Sequence, residues 1–101
     1  MGHSFDLNDL AHRQRRVTIA RGWDNKTNLE CLALVASEVG EAINECRGTE
    51  PSDAFGEELA DIILRTLDLA KANDLDINQL VLNKLLKNES KAHVRDLKKV
   101  Y

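Results

Sequence analysis

An all-α fold, a bundle of four to five helices completed by oligomerisation, follows from three features of this 101-residue sequence. Pro51 is the only proline and there are five glycines, so long helices meet few breakers and a many-turned β sandwich is disfavoured. Apolar residues recur at helical spacing between recognisable cap signals. The length suits one domain, residues 1–101, with a modest core whose apolar surplus self-association would cover.

The first helix runs from about Asp6 or Asn8 to Arg21 and stops at Gly22. Thr27-Asn28-Leu29-Glu30 is a capping-box pattern that opens the second, which continues to Arg47 and ends at Gly48, where a residue without Cβ turns left-handed. After Thr49-Glu50-Pro51-Ser52 a third helix extends from about Asp53 to Ala72. Asp76-Ile77-Asn78-Gln79 opens the fourth with a cap-and-return pattern, and it reaches about Ala92. The basic residues after His93 form a last short helix or a tail. Leu32, Ala36, Val39, Ile43 and Cys46 make an apolar seam on the second helix, and Leu59, Ile62, Thr66 and Leu69 another on the third. Leu80, Leu82, Leu85 and Leu86 give the fourth its apolar side. Short connections make neighbouring helices antiparallel.

There is no run of about 18 apolar residues, so no membrane span is expected. Met1 to Asp9 lacks an apolar signal core, which points to the cytoplasm. Cys31 and Cys46 are too far apart on one helix to bond each other and read as reduced core residues. The pI of about 5.6 and the absence of aromatic residues among the arginines argue against nucleic-acid binding. Arg13, Arg15, Arg16 and Arg21 give the first helix a basic side that is ordinarily left to water. Three scattered histidines make no nucleophilic triad.

Charge is concentrated in the middle of the chain. Residues 28–61 hold nine acids against one base, Arg47, a segment that repels itself unless a cation sits in it. Glu38 and Glu41 share a face of the second helix, with Glu45 one turn on, and Glu58 and Asp61 share a face of the third. A rotation of about 100° per residue sets Glu58 and Asp61 beside Leu59 and Ile62, at the margin of the core. Exposed glutamates are common on helices, so any one such pair is ordinarily solvated surface. Two pairs on facing helices, at the edge of an apolar seam, converge on one volume and call for a cation. Oxygen-only ligands select Mg2+ or Mn2+ over zinc. A di-iron bundle needs two Glu-x-x-His motifs, and the chain has none.

The order E-x-x-E at Glu38 and Glu41, sixteen residues, then E-x-x-D at Glu58 and Asp61 resembles the signature of the MazG-like all-α nucleotide pyrophosphohydrolases. Lys84, Asn88 and Lys91 are similar to that family's K-x-x-x-N-x-x-[RK] on the following helix. The resemblance covers about residues 23–91. Ser37 stands where many members carry a further Glu, and Lys91 where Arg is commoner.

The resemblance implies a MazG fold and a house-cleaning hydrolase that splits a (deoxy)nucleoside triphosphate between its α and β phosphates, releasing the monophosphate and pyrophosphate. Glu38, Glu41, Glu58 and Asp61 would hold Mg2+, and Glu41 is the choice for the group that takes the proton from water. Lys84, Asn88 and Lys91 would hold the outer phosphates. Trp23 is either a lid on the core or a stacking platform for the base. Similar proteins acting on deoxycytidine nucleotides have a Trp shortly before an Asn-Leu like Asn28-Leu29, which favours the platform. A homodimer, or a tetramer of two dimers, would complete the pocket. Phosphoribosyl-ATP pyrophosphatase shares the carboxylate logic, and a non-catalytic helical interaction module is the alternative outside enzymes.

Overall fold

The computed structural model describes residues 5–48 and 50–92, so the expected final helix or tail after His93 lies outside the described residues. Those residues form four helices, α1 (Leu7–Ala20), α2 (Asn28–Asn44), α3 (Phe55–Ala72) and α4 (Ile77–Lys91), and no strand. None is long and apolar enough to cross a membrane.

The capping box expected at the start of α2 holds, and a second one forms at the start of α1. Asp6 and Asp9 exchange hydrogen bonds at the start of α1, at 2.9 and 3.1 Å. Thr27 and Glu30 do the same at the start of α2, at 3.1 and 2.9 Å. Gly22 ends α1 in the left-handed region, φ 72°. The Trp23 N–H donates to the Thr18 carbonyl and the Gly22 N–H to that of Ile19, a Schellman closure that fixes where Trp23 leaves the helix.

Other boundaries differ from expectation. Helix α2 stops at Asn44, and Gly48 is not left-handed. Instead the Ser52 backbone N–H donates to the Glu45 carbonyl at 3.0 Å and its hydroxyl to the Glu45 carboxylate, so the chain coming back from the loop caps the helix early. Helix α3 starts at Phe55 rather than Asp53, without a side-chain cap, and acidic Glu57 and Glu58 occupy its positively polarised first turn. At its other end Asp74, φ 54°, takes the left-handed position that closes the helix, where no glycine signalled a stop. Asp76 caps α4 by accepting from the Gln79 N–H. The return half of that box is missing, because the Gln79 amide turns forward to Asn83.

Helix α3 is the hub, with α1 on one side and α2 on the other, while α4 touches α1 and α3 only lightly. Antiparallel pairing is visible in the cross-links. Asn28 at the start of α2 exchanges hydrogen bonds with Asn73 just past the end of α3, and Glu38 meets Arg65 at mid-length. Asn8 joins the start of α1 to the cap of α4, donating to Asp76 and accepting from the Asn78 N–H, while Asn78 accepts from the Leu7 N–H.

The buried residues are mostly small: Ala11, Thr18, Ala42, Leu67 and Ala70. The seam expected on α2 faces outward instead. Leu32, Ala36, Val39, Ile43 and Cys46 are exposed, whereas Cys31, Leu34, Val35, Glu38 and Ala42 turn inward. The two rows differ chiefly in that the inward one carries Glu38 where the outward one carries Ile43. Cys46 is thus an exposed thiol beyond the helix rather than a core residue, and Cys31 is half-buried. On α3 the expected seam holds only for Ile62 and Leu69; Leu59 and Thr66 are exposed, and Leu67 and Ala70 do the burying. Leu80, Leu82, Leu85 and Leu86 of α4 are all exposed.

Candidate metal centre

The inward turn of α2 carries a carboxylate, not only apolar groups, to the α3 interface. Glu38, Glu58 and Asp61 each offer an oxygen, and these oxygens lie within 4.8 Å of one another. Glu38 is the most enclosed of them with its partner helix, its side chain 13% exposed; Glu58 is half-buried and Asp61 exposed. In an octahedral Mg2+ shell, neighbouring oxygens stand about 3 Å apart and opposite ones about 4 Å, so the three oxygens lie near the spacing that one ion would need. All-oxygen donors of this charge suit Mg2+ or Mn2+.

Glu41, exposed one turn after Glu38, approaches Glu58. Burial, followed by the proximity of the Glu41 and then the Glu38 carboxylates, pushes Glu58 up to about 7. Its Oε2 is enclosed and has no hydrogen-bond partner among the described residues. A buried, partnerless carboxylate oxygen among other acids is a group in need of a cation or a proton. Glu45, which continues the Glu38–Glu41 row in sequence, is taken up by Ser52 and stands apart.

Two basic residues temper the cluster and its surroundings. Arg65 Nε donates to Glu38 Oε1 at 3.0 Å, and Arg15 pairs with Asp68 at 3.6 Å, bracing α1 against α3. Beside Asp61 and Arg65 opens a cavity of about 330 Å³, with Trp23, Lys26 and Asp68 also on its wall. Trp23 is half-exposed, and the Arg21 guanidinium lies over its ring, 5.0 Å from the centroid.

Of the residues singled out in the sequence, Glu38, Glu58 and Asp61 come together, Glu41 adjoins Glu58, and Trp23 shares a cavity with Asp61. Lys84, Asn88 and Lys91 lie on the exposed length of α4 and do not line that cavity. Helix α2, which carries Glu38 and Glu41, has no packing contact with α4. Arg65, Lys26 and Asp68 were not singled out from sequence. Arg65 could have been found, since it follows Asp61 by four residues and so shares its face. Compared with known proteins, the chain matches no family model, no curated relative and no solved structure.

Proposed function

We propose that this chain is a Mg2+-dependent nucleoside triphosphate pyrophosphohydrolase of the MazG-like kind, acting on (deoxy)nucleotides. The observation that carries the reading is the convergence of Glu38, Glu58 and Asp61 from two helices within 4.8 Å, with Glu41 against Glu58. These four would hold the ion, with Mn2+ acceptable to the same oxygens. When bound, Mg2+ supplies neutralisation of the phosphate oxygens.

The remaining chemistry belongs to the chain. Glu41, more exposed than Glu38 or Glu58, accepts the proton of the attacking water at a carboxylate oxygen. The water oxygen bonds to phosphorus, the α–β bridging P–O bond breaks, and its electron pair leaves with pyrophosphate. Trp23 and the neighbouring 330 Å³ cavity give the base a place beside the phosphates. Lys84, Asn88 and Lys91 keep a phosphate-holding role in this reading only if the fourth helix of a second copy brings them in. The exposed apolar rows of α2 and α4 support such a dimer or a tetramer of two dimers.

Pyrophosphate release from a panel of nucleoside and deoxynucleoside triphosphates, with and without Mg2+, tests the proposal. Mg2+-dependent release that vanishes in Glu58→Gln is the expected result; no release from any member of the panel refutes it. The same exposed apolar rows favour one second reading, a non-catalytic helical interaction module, which needs no ion and releases nothing.

A further inference from the structure

Arg65 stands outside the four-carboxylate set, yet it lies at the seam between that set and the cavity. Its Nε donates to Glu38 Oε1 at 3.0 Å, and its side chain also forms part of the cavity wall with Asp61, Lys26 and Trp23. Among the described residues it is the only base within 4 Å of any of the four carboxylates. One N–H of the guanidinium is engaged, and 41% of the side chain remains exposed.

We propose that Arg65 is a positioning residue that serves Glu38 as a resident counter-ion and, once a divalent cation binds, turns to a phosphate oxygen of the nucleotide in the adjoining cavity. The inference rests on the metal-dependent reading above. The guanidinium that donates to Glu38 Oε1 and a divalent cation would share one carboxylate, and two cations on one carboxylate repel each other. In this exchange the ion weakens the Arg65–Glu38 contact and frees the guanidinium. Released, the side chain stays on the face that Asp61 shares, because the two residues are four apart on α3. Its planar fork matches phosphate in a way that a point charge does not. No residue need travel between sites, since Arg65 already borders both. Metal and nucleotide binding become coupled through one side chain: the ion frees the group that the triphosphate then engages.

The competing role is a brace, with Arg65 merely fastening α2 to α3. Calorimetric titration of the full chain separates the two, using Mg2+ alone and then an α,β-methylene nucleoside triphosphate at saturating Mg2+. For Arg65→Gln the expected result is Mg2+ affinity raised about tenfold and analogue affinity lowered about tenfold. In turnover, KM should rise more than kcat falls. Arg65→Lys keeps the charge but loses the fork, so its Mg2+ affinity should stay near wild type while the analogue still binds more weakly. It also keeps the test decisive if the Gln variant does not fold. Unchanged or weakened Mg2+ affinity in Arg65→Gln overturns the exchange, as does unchanged analogue affinity in both variants. A wild type that binds no Mg2+ brings down the metal reading first and this inference with it; a wild type that binds Mg2+ while the variants behave as a brace removes this inference alone.

Discussion

The two sides of α2 were made from the same helix and face opposite fates. The outward side displays Leu32, Val39 and Ile43 to solvent, while the inward side commits Glu38 to the interface with α3. In an ordinary amphipathic helix the bulkier apolar row is buried and the charges are solvated. Here the inward row carries a carboxylate, Glu38, where the outward row carries Ile43. If the inward acids hold a cation and the outward row seats a second copy, each side has its own measurable signature. The measurements below can break either half of that contrast.

The inward side should give the largest effects. Glu58→Gln and Asp61→Asn keep side-chain shape but remove a charge from the cluster, and each is expected to lower kcat/KM at least about 100-fold with helical content unchanged by circular dichroism. Near-normal turnover in both variants would mean that the carboxylates are structural only.

On the outward side, Ile43→Glu places a charge in the apolar row of α2. If that row seats a second copy, the self-association constant should weaken by tenfold or more, about 1.4 kcal/mol or greater. Sedimentation velocity reads the change directly, and an unaltered distribution would show that the row stays in water.

A third measurement returns to the inward side without asking for turnover. Mg2+ that binds only the folded chain should raise Tm, since an ion at a hundred times its Kd stabilises by about 2.7 kcal/mol. Melting curves at matched ionic strength should show the rise in wild type and a smaller one in Glu58→Gln. Equal shifts in both would trace the effect to general screening.

Without metal, the cluster should also respond to acid. Glu58 faces Glu38 and Glu41, with Asp61 and Arg65 nearby, and titrates at about 7 in the folded chain against 4.5 for the unperturbed group. The folded form therefore takes up the proton more readily than the unfolded one. Its stabilising effect is full below about 4.5 and is lost as pH rises through about 7. Melting temperature of the metal-free chain should climb as pH falls through that window, less so in Glu58→Gln, and a flat profile in wild type would contradict it.

The smallest effect belongs to the cavity. Replacing Trp23 with Ala should raise KM roughly tenfold and leave kcat little changed, consistent with about 1–3 kcal/mol for stacking on one base. A drop confined to kcat would place Trp23 elsewhere in the mechanism.

What could be read from sequence follows the range of the forces involved. A cap such as Thr27–Glu30 acts within one turn, so its residues alone announce it. The shared faces of Glu38 with Glu41 and of Glu58 with Asp61 are likewise properties of a single helix. Which row of α2 turns inward is not, because it depends on packing against α3, and the uniformly apolar stripe was the wrong guide. The early end of α2 depends on Ser52 returning from a loop, and the stop at Asp74 on a non-glycine accepting a left-handed turn. The bond from Arg65 to Glu38 is not legible either, because its two ends lie on different helices, 27 residues apart.

The hydrogen bonds that join Asn8 to Asp76 and to Asn78 sit at one end of α4, and every residue of the helix from Gln79 onward is exposed. This makes α4 a lever with its pivot at the caps. At 1.5 Å per residue its 15 residues span about 22 Å, so a tilt of about 10° at the pivot carries the far end through about 4 Å. Asn88 and Lys91 ride on that far end while Lys84 lies halfway along. The reach of the lysine row is accordingly set by two asparagines and an aspartate at the opposite end, and a change at Asn8 or Asn78 would re-aim the row without touching any residue on it.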